Sequence, residues 1–135
     1  MKKDMFENRM KRCFFSIKGD CDPQVIIDKL SLTPDCVLMA GDSHPYENGR
    51  RVEKNEIIVG YNDLYEKDYN DMLYKTLTPL IPKEELFSRL KEEYGLQYVI
   101  NVGEEMKDEL FVLDGPIASF IVRTGSSRDQ SFSFF

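Results

Sequence analysis

The stretch CFFSIKGDCDPQVIIDKLSLTP, residues 13–34, decides the fold class because it places a strand pattern directly before a helix pattern. Apolar side chains alternate along residues 13–17, which predicts a strand with one buried face and one face toward solvent. Asp22 followed by Pro23 predicts the start of a helix, since Asp suits the N-cap and proline suits the first helical position. Pro34 predicts that this helix has ended, because proline cannot continue the hydrogen-bond ladder.

The rest of the chain repeats both patterns. Short apolar runs predict further strands at residues 36–39, 56–61, 96–102 and 132–134. Apolar residues at helical spacing predict further helices at residues 65–77, 82–94 and 116–124. We expect Ile57, Val59 and Tyr61 to share one face of their strand, and Pro82 to open its helix. This order of elements predicts an α+β fold, with a mostly antiparallel sheet of four to six strands and three to four helices packed mainly on one face.

The chain of 135 residues has the length of one domain. Residues 1–12 carry five basic and two acidic side chains, and we predict that they are a basic N-terminal extension. Residues 13–135 are predicted to form a single α+β domain, with 13 basic and 22 acidic side chains. This excess of negative charge argues against a nucleic-acid partner and favours a protein partner with a basic surface.

Hydropathy and cysteine usage predict a cytoplasmic protein without a membrane partner. No apolar stretch approaches the ~20 residues of a membrane-spanning helix, and the acidic residues near the N-terminus do not fit a secretion signal. Cys13, Cys21 and Cys36 lack the close spacing of structural zinc ligands and suit a reducing compartment. We therefore predict no metal site and no cofactor.

Residues 42–55 combine turn-forming and charged side chains, which predicts a surface loop or hairpin turning at Asn48-Gly49. Four of its polar residues are candidates for binding a ligand or partner: Asp42, His44, Arg50 and Arg51. Ser43 stands between an aspartate and a histidine, the residue types of a nucleophilic triad, but neighbours in one loop seldom form the required relay. No catalytic residue is predicted, and a plainly solvated loop is the simpler interpretation.

Several short motifs along the chain occur in a recognisable order. They are FFSIKGD (14–20), DPQVIIDKLSLTP (22–34), AGD (40–42) and PLIPKEELFSRL (79–90). With them, the chain over residues 13–135 resembles the bacterial family DUF4279, a domain of unknown function. The resemblance implies an α+β fold and a bacterial setting. It implies no activity, because the shared motifs shape the backbone and none is a catalytic signature.

Two functions stay open at this point. The first is non-catalytic protein binding, as an immunity-like inhibitor of a basic protein or as a regulatory domain. It is favoured by the acidic charge, the many Tyr and Phe residues and the lack of a catalytic set. The alternative is a small-molecule site or weak hydrolase centred on residues 42–51. The sequence leaves the oligomeric state open.

Overall fold

The computed structural model describes residues 12–46, 49–62, 69–102 and 115–128. Within these ranges the chain forms five strands, four α-helices and one 3₁₀ helix. The strands are β1 (Cys13–Gly19), β2 (Cys36–Leu38), β3 (Asn55–Asn62), β4 (Gln97–Val102) and β5 (Ser127–Arg128). The helices are α1 (Pro23–Leu30), α2 (Tyr69–Leu77), α3 (Glu84–Tyr94) and α4 (Gly115–Thr124), with the 3₁₀ helix at Thr78–Lys83.

The strands form one sheet in the order β2-β3-β1-β4-β5. Neighbouring strands are antiparallel except β4 and β5, which run parallel. In the central strand β1, Ser16 lies opposite Ile58 of β3 on one side and opposite Val99 of β4 on the other. The predicted α+β class and mostly antiparallel sheet are confirmed.

All four helices pack on one face of the sheet, where they bury a hydrophobic core with the inward side chains of the strands. Four aromatic rings lie within it, and their neighbouring centroids are 5.2 to 5.9 Å apart: Phe15, Phe87, Tyr98 and Phe120. Most of these pairs meet edge to face or tilted, which aromatic quadrupoles favour. The buried Tyr98 hydroxyl donates to the Phe87 carbonyl at 2.6 Å and is thereby satisfied.

Polar side chains fix the ends of the helices. The Asp22 carboxylate accepts a hydrogen bond from the second amide of α1, so the predicted N-cap is confirmed. At the other end of α1, Lys83 donates to the Leu30 carbonyl. Lys91 donates to the Gly125 carbonyl just beyond α4, at 3.0 Å. Because helix C-termini attract positive charge, these two lysines tie α1 and α4 to the segment that contains α3.

The second face of the sheet is buried as well, so the prediction that β1 has one face toward solvent was wrong. Phe14 and Ser16, on the face away from the helices, are 1% and 0% exposed. The cover is a hairpin with arms at residues 41–46 and 49–52, which we call the 41–52 hairpin. Its His44 and Val52 are buried, which also makes the interpretation as a plainly solvated loop wrong.

Gly60 interrupts the alternation of β3. It has a φ of 68°, and at this point one residue of β1, Phe14, lies opposite two of β3, Gly60 and Tyr61, which is a β-bulge. The extra residue turns Tyr61 toward the hairpin side, whereas Ile57 and Val59 face the helices. The prediction that these three side chains share a face was therefore wrong for Tyr61.

Pro82 does not open α3, contrary to the prediction. It lies inside the 3₁₀ helix, and α3 begins at Glu84. Proline's fixed φ suits the tight turns of a 3₁₀ helix, which here fills the connection from α2. The end of α3 at Tyr94 is as predicted, and Gly95 follows it in the left-handed conformation at φ 66°.

Some predictions lie outside the described residues. These are the N-terminal extension up to residue 11, Asn48 of the turn, residues 65–68 of the predicted helix and the final strand at 132–134. The extent of the single domain likewise stays a prediction. Within the described ranges, no helix has the length and apolar character that crossing a membrane requires.

Candidate functional site

The 41–52 hairpin is held together by its own backbone. The Gly41 amide donates to the Val52 carbonyl at 2.7 Å, and the Val52 amide donates to the Asp42 carbonyl at 2.9 Å. Nearer the tip, the His44 amide donates to the Arg50 carbonyl at 3.0 Å. This pairing places the side chains of His44 and Arg50 next to each other over the sheet.

A buried carboxylate lies beneath the hairpin. Glu56 of β3 is 1% exposed. Its Oε2 accepts from the Ser16 hydroxyl at 2.6 Å and lies 3.3 Å from His44 Nε2, while its Oε1 accepts from Arg50 Nη2 at 3.3 Å. Asn101 Nδ2 in turn donates to Ser16 Oγ at 2.7 Å. We call these five residues the Glu56 cluster.

The backbone fixes the tautomer of His44. The Tyr46 amide donates to His44 Nδ1 at 3.1 Å, so this nitrogen accepts a hydrogen bond and carries no proton. The proton of the neutral ring is therefore on Nε2, which donates to the Glu56 carboxylate. The formal charges of the cluster are those of Glu56 and Arg50, which form an ion pair.

Aromatic rings line the cluster on the hairpin side. Tyr46 and Tyr61 stack with their centroids 4.3 Å apart. Phe14 contacts both, and the His44 ring, at centroid distances of 5.2 to 6.0 Å. Tyr61 reaches this position only because of the bulge in β3. Rings that exclude water lower the local dielectric, which strengthens the ion pair beside them.

The Glu56 cluster does not have the geometry of a nucleophilic relay. In such a relay a histidine stands between the nucleophile and the acid, whereas here Ser16 donates directly to Glu56 and His44 contacts the same carboxylate oxygen. Ser16 is 0% exposed, so its hydroxyl is closed to a substrate in this conformation. The arrangement instead fastens the hairpin to three strands of the sheet.

Two of the four candidate residues do not join the cluster. The Asp42 carboxylate accepts from the Met39 amide at 2.8 Å, and Arg51 Nη1 donates to the Gly41 carbonyl at 2.8 Å. Both side chains are exposed and shape the base of the hairpin. The structure therefore brings His44 and Arg50 together at Glu56 and leaves Asp42 and Arg51 apart from it.

A family model described as "Domain of unknown function (DUF4279)" matches residues 8–127, a range that contains the whole Glu56 cluster. The chain belongs to the DUF4279 family. The resemblance drawn from the sequence motifs is thus confirmed. No curated protein and no solved structure matches the chain.

In this DUF4279 domain, Ser16, Glu56 and Asn101 were missed by the sequence analysis. Each is a polar residue within a largely apolar strand, and Ser16 and Asn101 fall at positions that face away from the helices. Three such positions on adjacent strands indicate a shared network. That signal exists only once the strand order is known, because β3, β1 and β4 are distant in sequence.

The partly buried thiols of the DUF4279 domain are poor candidates for chemistry. Burial raises the pKa of the Cys21 thiol and of the Cys36 thiol. A raised pKa leaves little of the nucleophilic thiolate at neutral pH. Among the residues with described positions, no group of three His, Cys, Asp or Glu side chains is arranged to hold a metal ion.

The charge of the domain is unevenly distributed along the chain. From residue 13 onward, the described ranges contain twelve acidic and eleven basic residues. The remaining ten acidic and two basic residues lie in residues 47–48, 63–68, 103–114 and 129–135, outside the described ranges. Negative charge on the described surface is therefore a local property of particular segments.

Proposed function

We propose that this DUF4279 domain is a non-catalytic protein-binding domain whose partner presents a basic surface. The supporting observation is the closure of the Glu56 cluster: Ser16, His44 and Glu56 are at most 5% exposed, and the first two are hydrogen-bonded to Glu56. The groups suited to acid–base or nucleophilic catalysis thus hold the hairpin against the sheet. A fixed hairpin beside a sheet edge suits the recognition of another protein.

Exposed apolar side chains add support. The described ranges contain three large ones, Val37, Met39 and Val122. Val37 and Met39 lie together beside the hairpin, with the exposed acids Asp35 and Asp42 at either end of the segment. Apolar contact combined with opposite charge suits an immunity-like inhibitor of a basic protein, and it suits a regulatory domain equally well.

Native capture tests the proposal. The tagged full chain is incubated with a lysate of the cells that produce it, and bound proteins are identified and quantified. We expect a basic protein in roughly equimolar amount, released as NaCl rises from about 50 to about 300 mM because salt screens charge contacts. The purified candidate must then reproduce the binding. If no protein is retained in stoichiometric amount at low salt, the proposal is wrong.

A small-molecule site or weak hydrolase centred on residues 42–51 is the second candidate. One observation favours it: the Arg50 side chain is 35% exposed while its Nη2 pairs with Glu56. Such a group could bind an anionic ligand at the mouth of the cluster. Ligand-induced NMR shifts or turnover that disappear in Arg50→Ala and His44→Ala would support this function. Shifts or turnover unchanged in both variants would exclude it.

A further inference from the structure

The outer edge of β2 carries two of the three exposed large apolar side chains in the described ranges. Val37 is 42% exposed, and Met39, directly after the strand, is 49% exposed. β2 is the first strand in the sheet order, and no other described strand pairs with its outer side. Sheet edges are commonly blocked by lysine, proline or a covering loop. Here apolar side chains occupy those positions.

Hydrogen bonds to β3 hold the backbone on either side of β2. The Asp35 amide donates to the Ile58 carbonyl at 2.8 Å, and the Ala40 amide donates to Asn55 Oδ1 at 2.9 Å. Leu38, between these two points, is buried in the hydrophobic cluster under the hairpin. An incoming strand therefore meets a preformed edge, and binding loses little free energy to ordering of β2.

Two anchored carboxylates flank the apolar pair. The Tyr61 amide donates to Asp35 Oδ2 at 2.9 Å, and the Met39 amide donates to Asp42 Oδ2 at 2.8 Å. Each carboxylate stays exposed while being held beside the strand. Their negative charges are thus presented at defined positions at either end of the edge.

Acidic side chains lie close to β2. Burial and then the charges of Glu56, Asp35 and Asp42 raise the pKa of the Cys36 thiol, and every charge in this set is acidic. Arg51, the exposed cation of the hairpin, donates to a backbone carbonyl. A cation on a partner is attracted to this edge, whereas an anion is repelled.

Strand geometry converts these positions into a recognition pattern. Alternate residues of a strand point to the same side, so Asp35, Val37 and Met39 share one side of the edge, and Asp42 follows at the turn. We propose that this edge binds an extended segment of the partner protein, in which two apolar side chains at alternate positions are flanked by Lys or Arg. The inference rests on the proposed function and names its surface. The partner's backbone extends the sheet, its apolar side chains contact Val37 and Met39, and its basic side chains pair with the two carboxylates.

A synthetic peptide of known chemistry tests the edge directly. It has seven residues, with valine at the third and fifth positions, lysine at both ends and threonine elsewhere. Titrated into the isotope-labelled full chain, it should shift the amide resonances of β2 and β3 saturably. A matched peptide with glutamate in place of lysine should bind at least about tenfold more weakly. Equal binding of both peptides, or binding of neither, overturns the proposal.

The captured partner provides the second test. Val37→Lys combined with Met39→Lys should weaken its binding at least about tenfold, because it replaces apolar contact with like charge. Val122→Lys, a change at a more exposed apolar residue on α4, should leave binding unchanged. If a partner is captured but the double variant binds it as well as the wild type does, the edge proposal fails while the proposed function stands. If no partner is captured, the proposed function itself fails.

Sedimentation of the full chain alone tests whether a second copy of the chain, rather than a partner protein, binds the edge of β2. We expect the wild type and the double variant to sediment alike. If the wild type is a dimer and the double variant is a monomer, the edge pairs with a second copy of the chain. That result overturns the proposal of a basic partner segment.

Discussion

At Glu56 the chain places a carboxylate inside a sheet and surrounds it with donors. Moving a carboxylate out of water is costly, and the cost is offset only when its oxygens are well bonded. Here Ser16, His44 and Arg50 supply those bonds from β1 and from both arms of the hairpin. The hydrogen bond between His44 and Glu56 has a defined direction, from Nε2 to the carboxylate, because the Tyr46 amide fixes the His44 tautomer.

Replacing Glu56 with glutamine should lower the free energy of unfolding by about 2 kcal/mol, because the new amide group points a donor at existing donors. The volume is kept, so the loss reports on charge and hydrogen bonding. Urea denaturation of the variant measures it, with Glu53→Gln as the exposed control, for which we expect a change within about 0.5 kcal/mol. Equal effects of the two substitutions would show that the Glu56 cluster adds nothing to stability.

Tyr98 gives the domain a predictable weakness at alkaline pH. Burial raises the pKa of the Tyr98 hydroxyl well above its usual range, with a smaller contribution from the charge of Cys21. The folded chain therefore retains a proton that the unfolded chain releases near pH 10, and stability falls by about 1.4 kcal/mol per pH unit above that point. Below it, this contribution is fully present.

The substitution Tyr98→Phe should flatten that alkaline slope, although it costs about 1 kcal/mol at neutral pH through loss of the bond to the Phe87 carbonyl. Unfolding curves from pH 8 to about pH 12 measure both effects. Tyr94→Phe, which leaves Tyr98 in place, should retain the wild-type slope. Parallel pH dependence in the wild type and in Tyr98→Phe would contradict the assignment.

Among the elements, β3 depends most on a single backbone position. Gly60 has a φ of 68°, and a Cβ atom there would lie 3.0 Å from the Thr76 carbonyl oxygen and 3.2 Å from its Cγ2. Thr76 is also bonded to this site, since its hydroxyl donates to the Gly60 carbonyl at 2.8 Å. The bulge is thus locked against α2, and it is the bulge that sends Tyr61 to the hairpin side.

Gly60→Ala should therefore destabilise the domain by about 2 to 4 kcal/mol, through both the left-handed φ and the contact with Thr76. Gly95→Ala is the matched control, since it has a φ of 66° but no atom within 4 Å of the added Cβ. It should cost only about 1 kcal/mol. Urea midpoints of both variants make the comparison, and an equal loss would mean that packing against Thr76 plays no part.

The elements also show which features can be predicted from sequence. The Asp22 cap and the end of α3 at residue 94 were predicted correctly because neighbours in the chain determine them. The Glu56 cluster was not, since its bonds join residues 12, 40 and 85 positions apart. The burial of Phe14 was missed for the same reason, because it depends on a hairpin that folds back over the sheet.

On the scale of the whole molecule, the sheet separates two unequal layers. Among the described residues, the hydrophobic cluster on the helix side has twenty buried members, whereas the cluster on the hairpin side has four and is supplemented by the hydrogen bonds of the Glu56 cluster. Local opening requires least free energy where few apolar contacts are lost. The hairpin should therefore separate from the sheet without unfolding of the helix side.

Amide hydrogen exchange tests this separation. The Gly41, His44 and Val52 amides, whose bonds close the hairpin, should exchange through local opening that depends little on denaturant, while the amides of β1 and β4 exchange only through global unfolding. Glu56→Gln should then speed exchange at the hairpin amides by about tenfold for each 1.4 kcal/mol of interaction that it removes. The gap between hairpin and core amides should stay the same in the variant, because the bonds to Glu56 are lost both when the hairpin opens and when the whole domain unfolds. If hairpin and core amides shared one exchange free energy in the wild type, the two layers would form a single cooperative unit and Glu56 would not be a local fastening.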